Sequence, residues 1–227
     1  MLPIRDNQIS RTAPVVTYTL IALNCLLYLW DRQWHLAGPN VVFGDLSMRP
    51  KEVVEALQAG APDRSALVTL FTSMFLHANA LHILGNMLYL LTFGIGVEGA
   101  LGAPRFALYY LAWGFVAAAA HIFVDPGSQA AVVGASGAIG GVLGGYFLLF
   151  PANKIEIIVP FVPFPLVASA WVLLGLWFLW QIFLPQEGVA NWAHAGGFMA
   201  GMATVLIMGG REAVLRGKQP ELTDDFA

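Results

Sequence analysis

Two residues of the types needed for acyl transfer stand near the start of two separate apolar stretches. Ser136 lies in Gly134-Ala135-Ser136-Gly137, and His194 lies close to the beginning of the last long apolar run. A serine hydroxyl becomes a nucleophile when an imidazole is placed to take its proton. Because hydrocarbon penalises polar side chains, those kept in apolar segments are candidates for function. The pair therefore predicts a hydrolase site with a serine nucleophile.

His82 and Asn86 form a second polar pair in another apolar stretch. They are four residues apart, so their side chains project from the same face of a helix. Both can donate hydrogen bonds, which acyl transfer needs for the oxyanion of its tetrahedral intermediate. The structural alternative is an interhelical hydrogen-bonded pair that only holds helices together, and the two interpretations are compatible.

The composition of the chain predicts a helical bundle embedded in a lipid bilayer. Its 227 residues are 58% hydrophobic and 11% charged, whereas an ordinary soluble domain is about 25% charged. The net charge of -3 gives no indication of a nucleic-acid partner. A spanning helix needs roughly 20 apolar residues. Six segments qualify, namely 14–30, 80–97, 105–124, 132–150, 166–184 and 190–208.

These segments predict an all-α fold, a polytopic six-helix transmembrane bundle over residues 14–208. An N-terminal segment, 1–13, and a C-terminal tail, 209–227, flank it, and a long first connection, 31–79, follows the first helix. With the N-terminus inside, seven Lys and Arg residues lie inside and four outside, which predicts that both termini are cytoplasmic. The polar residues of the second, fourth and sixth helices then lie at one depth near the outer face.

Small residues predict how the fourth and sixth helices pack. Gly137, Gly141 and Gly145 recur every four residues, and Gly197 and Gly201 do the same on the sixth helix. Such spacing lets helix backbones approach closely in lipid. Packing of the two small faces would bring the predicted nucleophile and base together at the outer end. The alternative is that each is a satisfied polar group of the core.

Other kinds of site are disfavoured. No Asp or Glu lies within the six predicted segments, so a Ser-His dyad is favoured over a triad with a carboxylate. His77, His82, His121 and His194 are possible metal ligands, but no His-Glu-x-x-His pattern is present, and we predict neither metal nor other cofactor. A small transporter would need a polar site near the midplane, whereas this polar cluster lies toward one face.

The chain resembles the rhomboid family of intramembrane serine proteases. Gly134-Ala135-Ser136-Gly137 is similar to its Gly-x-Ser-Gly nucleophile motif, and His82 with Asn86 to its His-x-x-x-Asn motif on the second helix. The sequence from Ala193 to Gly201 is similar to its base motif on the sixth helix. The three motifs, found together and in this order, are specific for the family. The resemblance covers nearly the whole chain.

The resemblance implies cleavage of single-pass membrane proteins near the outer face of a bacterial inner membrane. Ser136 would attack the scissile carbonyl and His194 would transfer protons. His82, Asn86 and the backbone N–H of the nucleophile would hold the oxyanion. A non-proteolytic rhomboid-like protein that binds membrane clients is the alternative. The motifs carry no information on oligomeric state.

Aromatic residues are expected to have two roles. Some family members carry a tyrosine stacked on the base where this chain has Gly140, so an aromatic support for His194 is expected from elsewhere. Four aromatic residues of the fifth segment are expected to face lipid or to line a lateral opening for substrate. They are Trp171, Trp177, Phe178 and Trp180.

Overall fold

Helices account for most of the described residues. A computed structural model describes residues 2–9, 13–38, 40, 43–59, 64–159, 162–216 and 221–222. Within these ranges the helices are α1 (Val15–Asp31), α2 (Phe43–Leu46), α3 (Pro50–Gln58), α4 (Arg64–Thr72), α5 (Ala80–Leu101), α6 (Ala103–Val124), α7 (Ser136–Leu149), α8 (Ala170–Phe183), α9 (Asn191–Ile207) and α10 (Gly210–Leu215). A 3₁₀ turn, Ser73–Phe75, follows α4.

Each of the six predicted apolar segments contains a helix, but their ends differ from the prediction. The fourth helix, α7, begins at Ser136 rather than at residue 132, because Val132 pairs with Met48 of the first connection in an isolated β-bridge. The fifth, α8, begins at Ala170 because the four residues before it form a strand. Tertiary pairing therefore shortens two of the predicted helices at their N-terminal ends.

Two helices, α5 and α6, are long and apolar enough to cross a membrane by length and composition. The other four helices in the predicted segments contain 14 to 17 residues. At 1.5 Å per residue, 14 residues rise about 21 Å, which is short of the roughly 30 Å of a hydrocarbon core. Within the described ranges, the helix lengths alone thus do not establish the predicted count of six spans.

A small antiparallel sheet corrects the prediction of an all-α fold. Its strands are β1 (Leu2–Asp6), β3 (Lys154–Ile158) and β4 (Leu166–Ser169), in the order β1-β3-β4. Ile155 and Ile157 of the central strand are buried, as expected for an alternating, β-branched segment. A separate pair joins β2 (Gln8–Ile9) to β5 (Glu221–Leu222).

Hydrogen bonds tie this sheet to the helix that begins with Ser136. Tyr146, near the end of α7, donates a hydrogen bond of 2.7 Å to the carboxylate of Asp6. The Asn153 amide donates to the same Tyr146 hydroxyl at 3.1 Å. Tyr146 is fully buried, and its ring packs edge-on against Phe93 of α5. The N-terminal strand is thus part of the packed structure at the end of α7 remote from Ser136.

The close packing of α7 against α9 confirms the prediction from small residues. A Cβ at Gly197 would overlap the carbonyl oxygen of Gly137, and a Cβ at Gly201 would overlap that of Gly141. A Cβ at Gly144 would overlap the backbone of Phe198. The two backbones therefore lie in direct contact, and larger side chains at these positions would force the helices apart.

One carboxylate lies in α5 one residue beyond the end of the predicted segment 80–97. Glu98 is in the last turn of α5 and is 2% exposed. It accepts hydrogen bonds from the backbone N–H groups of Val16 and Thr17 and from the Thr17 hydroxyl. It thereby satisfies free N–H groups at the start of α1. Sixteen residues separate it from His82, about 24 Å along the helix, so it does not belong to the candidate site.

The first connection is ordered around a buried arginine. Arg32, directly after α1, donates to the carbonyl oxygens of Gly38 at 3.0 Å, of His77 at 3.4 Å, and of Ala78. Its guanidinium also lies over the Tyr28 ring, 5.2 Å from the centroid. The end of α1 is thereby joined to the segment that leads into α5.

Candidate active site

The turn before α7 brings Ser136 to the first position of that helix. Gly134 has φ +123, a conformation that favours glycine. Its N–H donates to the carbonyl oxygen of Ser73 at 2.8 Å. A Cβ at Gly134 would lie 2.8 Å from Nε2 of His82. The glycine therefore allows the chain before Ser136 to pass close to His82 and Asn86.

His194 lies in the first turn of α9, with its ring directed at α7. Its Nε2 is 2.8 Å from Oγ of Ser136, a normal hydrogen-bond distance. The contact follows from the glycine faces described above, since α7 and α9 touch along their backbones and each begins at the same end of the bundle. The structure thus brings together the two residues that the sequence singled out as nucleophile and base.

The other ring nitrogen of His194 has a partner that sequence reasoning missed. Nδ1 lies 2.8 Å from Oε1 of Gln181, which is 7% exposed and lies in the last turn of α8. Gln181 is the single amide side chain in α8. A polar residue within an apolar run is a signal of function. Because α8 runs opposite to α9, its C-terminal end lies at the depth of His194, so the same depth argument could have found it.

An aromatic ring from α8 supports the imidazole. The centroids of Trp177 and His194 are 5.8 Å apart, and their planes are inclined by 32°. This fulfils the expectation that the support comes from a residue other than Gly140, where a Cβ would lie 2.7 Å from the carbonyl oxygen of His194. Trp177 is half-buried, so one part of its ring packs beside His194, and its role at a lipid face or lateral opening stays a prediction. Phe178 also packs inward, stacking on Phe198 with centroids 4.7 Å apart.

Asn86 and His82 both have a possible hydrogen-bond donor near the turn that precedes Ser136. Nδ2 of Asn86 is buried and makes no hydrogen bond within the described part of the chain. His82 Nδ1 accepts from the N–H of Ala78 at 3.4 Å, which leaves Nε2 as the protonated nitrogen. A Cβ at Gly134 would lie 3.5 Å from Nδ2 and 2.8 Å from Nε2, so both donors are close to the turn before Ser136.

All four predicted residues line one cavity of about 550 Å³. It is open to one end of the bundle and is bordered by the turn before α7 and by residues 188–190. His121 of α6 also lines it. Its Nδ1 makes no hydrogen bond to the described residues. The cavity therefore combines a hydroxyl, an imidazole and two further donors in one solvent-accessible space.

This arrangement has the parts that acyl transfer requires. The imidazole is placed to take a proton from the Ser136 hydroxyl. The backbone N–H of Ser136 is at the start of a helix and has no partner within that helix. Together with Asn86 and His82 it forms a group of donors near the hydroxyl, as an oxyanion hole needs. The side-chain partner of His194 Nδ1 is the amide of Gln181, and a Ser-His dyad without a carboxylate stays a prediction.

The chain is similar to several known proteins. Rhomboid-related protein 2 of Mus musculus is 27% identical over 208 residues, which cover 88% of this chain and 65% of that protein. Rhomboid-type serine protease 2 of Emericella nidulans is 34% identical over 135 residues, which cover 57% of this chain and 24% of that protein. Rhomboid protease GluP of Bacillus subtilis is 29% identical over 150 residues, covering 66% and 28% respectively. The chain spans less than two thirds of the length of each of these three relatives.

A family model also matches the chain. The model of the Rhomboid domain matches residues 64–211, more than half of the chain. This range runs from the start of α4 into α10 and includes all four predicted site residues. The family is the one that the sequence motifs resemble. The chain belongs to the rhomboid family.

Proposed function

We propose that the chain is an intramembrane serine endopeptidase with a Ser136-His194 dyad. The observation that carries the proposal is the 2.8 Å contact between Nε2 of His194 and Oγ of Ser136. The same cavity holds Nδ2 of Asn86, which makes no hydrogen bond to the described residues. The names of two relatives, a rhomboid-type serine protease and a rhomboid protease, support the same reaction class.

In the acylation step, Oγ of Ser136 attacks the scissile carbonyl carbon while its proton passes to Nε2 of His194. The carbonyl oxygen becomes an oxyanion in the tetrahedral intermediate. Nδ2 of Asn86, Nε2 of His82 and the Ser136 N–H donate to it. When the intermediate collapses, the C–N bond breaks and His194 delivers its proton to the leaving amine. The product is an ester between the substrate acyl group and Ser136.

In the deacylation step, a water molecule in the cavity takes the place of the amine. His194 accepts a proton from the water as its oxygen attacks the ester carbonyl. The same donors hold the second oxyanion. The ester C–O bond then breaks and Ser136 recovers its proton from His194. The new carboxylic acid leaves and gives up its own proton to water. A cavity of about 550 Å³ has room for an extended segment of substrate backbone and for water.

The proposed substrates are single-pass membrane proteins. A backbone inside a helix presents its carbonyls to its own N–H groups, so a substrate must unwind locally to reach Ser136. Residues that weaken helices near the cleavage site would favour this unwinding. The site lies where α7 and α9 begin and α8 ends. This common end would face the outer side of the membrane if both termini are cytoplasmic, as the Lys and Arg distribution favours.

The domain organisation is part of the proposal. Residues 14–208 would form the membrane-embedded unit with six crossings, flanked by cytoplasmic segments 1–13 and 209–227. The helices shorter than a hydrocarbon core can complete their crossings with flanking residues or with local thinning of the bilayer. The bacterial inner membrane remains the proposed location.

The test is cleavage of a fluorescent single-span reporter by the purified protein in liposomes. The wild type is compared with Ser136→Ala and with Ser128→Ala, a matched control because Ser128 lines the same cavity. We expect cleavage by the wild type and by the control but not by Ser136→Ala. A fluorophosphonate probe should label the wild type at Ser136. Equal cleavage by all three proteins, or absence of both cleavage and labelling from folded wild type, would contradict the proposal and favour a client-binding role.

A further inference from the structure

We propose that Gln181 is a positioning residue that holds His194 in the tautomer able to accept the Ser136 proton. The inference rests on the proposed function, because it concerns the same imidazole. It adds a third residue from a separate helix, α8, whose side chain would touch neither the substrate nor the reacting atoms.

The direction of the hydrogen bonds supports this role. Nε2 of Gln181 donates to the carbonyl oxygen of Trp177, one turn earlier in α8, at 3.4 Å. This contact orients the amide so that its oxygen faces His194, 2.8 Å from Nδ1. An amide oxygen only accepts hydrogen bonds, so Nδ1 must carry the proton of the neutral ring.

The tautomer then determines what the other nitrogen can do. With the proton on Nδ1, Nε2 has a free lone pair and accepts from the Ser136 hydroxyl at 2.8 Å. With the proton on Nε2, the ring could only donate to Ser136 and could not act as its base. The three hydrogen bonds therefore run in one direction. Ser136 donates to His194, and His194 donates to Gln181. Gln181 in turn donates to the carbonyl oxygen of Trp177.

The same face of α8 also restrains the plane of the ring. Trp177 and Gln181 are four residues apart and project together. The Trp177 ring lies beside the imidazole, while the Gln181 oxygen holds its edge. Movement of α8 relative to α9 would thus alter both restraints at once.

An amide suits this position better than a carboxylate would in a neutral resting state. Gln181 is 7% exposed, and an ionised group there would need compensation for the loss of hydration. The amide satisfies Nδ1–H without a net charge. The same use of an amide to orient a catalytic histidine is found in cysteine proteases with a Cys-His-Asn arrangement.

The variants that test this inference are Gln181→Leu, Gln181→Glu and Gln186→Leu. Leucine removes the acceptor, whereas glutamate keeps an acceptor oxygen in either protonation state. Gln186 lies just beyond α8, is exposed and is not among the described residues that line the cavity, which makes it the matched control. Each protein is assayed for kcat and KM on the single-span reporter, and the ¹⁵N signals of His194 are recorded by NMR in detergent.

We expect the wild-type His194 to carry its proton on Nδ1. In Gln181→Leu the ¹⁵N signals should move toward a mixture of tautomers, and kcat should fall about 10- to 100-fold with a smaller change in KM, since the wrong tautomer alone can cost about 10⁴-fold in a serine protease. Gln181→Glu should recover part of the loss, and Gln186→Leu should match the wild type.

Two results would overturn the inference. One is an Nε2–H tautomer in the wild type, which needs no variant and so holds even if Gln181→Leu does not fold. The other is a folded Gln181→Leu protein with wild-type tautomer and kcat. The proposed function fails in a different way, by loss of reporter cleavage and of probe labelling in the wild type, and the tautomer measurement still decides the role of Gln181 in that case.

Discussion

Gly134 and His82 are in such close contact that no other residue fits at position 134 without movement of the ring. A Cβ there would lie 2.8 Å from Nε2 and 2.9 Å from Cε1 of His82. The backbone of Gly134 is also in a conformation, φ +123, that other residues rarely adopt. The turn that presents Ser136 is therefore built around the same side chain that we propose as an oxyanion donor.

Gly134→Ala should impair both the turn and the donor. The strained backbone would lower the free energy of unfolding by about 1–3 kcal/mol, and displacement of His82 would lower kcat by at least about 10-fold. Gly127→Ala is the matched control, because a Cβ at Gly127 meets nothing within 4 Å. Denaturation in detergent and reporter kinetics measure the two effects, and an alanine variant with wild-type kcat would show that the contact is unimportant for turnover.

Asn86→Ala should lower kcat by about 10²–10³-fold, the typical loss for one oxyanion donor. KM should change little, because the amide would act on the transition state more than on bound substrate. Its Nδ2 makes no hydrogen bond to the described residues, so the folded state loses little when it is removed. Steady-state kinetics on the reporter provide the measurement. A rise in KM with unchanged kcat would instead assign Asn86 to substrate binding.

Arg32→Leu should destabilise the first connection and, through it, the start of α5. The guanidinium is buried and donates to backbone carbonyls on both sides of that connection. Hydrogen bonds to charged groups contribute about 1.5–3 kcal/mol, so the free energy of unfolding should fall by at least that amount. Limited proteolysis should then cut within 33–79 faster than in the wild type. Arg105→Leu, at an exposed site in α6, is the control and should behave as the wild type does.

His77 should make the stability of the protein depend on pH. It lies in the connection just before α5 and is 1% exposed, and burial together with the nearby His82 lowers its pKa to about 3. An unfolded histidine has a pKa of about 6.5. Below pH 6.5 the unfolded protein binds a proton at His77, whereas the folded protein does not. The contribution of neutral His77 to the free energy of unfolding is therefore fully present above about pH 6.5 and is lost as pH falls toward 3.

The measurement is the free energy of unfolding of the wild type and of His77→Gln at several pH values between 7 and 4. The wild type should lose up to about 1.4 kcal/mol more per pH unit below 6.5 than the variant does. Parallel curves for the two proteins would show that His77 does not titrate in this way. The comparison isolates His77 because the other four histidines are present in both proteins.

Local patterns identified most of the candidate site. Ser136 and His194 are polar residues in apolar runs, and His82 and Asn86 share a helix face through their spacing. The small faces of α7 and α9 were visible as glycine repeats, which predicted the contact that brings nucleophile and base together. These features depend on residues a few positions apart, where helix geometry alone relates sequence to space.

Contacts between distant segments account for what the sequence did not predict. Gln181 was overlooked because its partner lies on another helix, and the packing of Trp177 beside His194 was not predicted for the same reason. The sheet was overlooked because β1 and β3 are about 150 residues apart, and neither short strand has a pattern that identifies its partner.

The amino-acid sequence by itself determined which residues can react, which segments are helical and which helix faces can approach closely. The tertiary structure alone decided how the imidazole of His194 is oriented, where α7 begins and how the N-terminal strand is held. The physical reason is that helix periodicity is a property of neighbouring residues. Orientation and strand pairing instead depend on groups that become neighbours once the helices have packed.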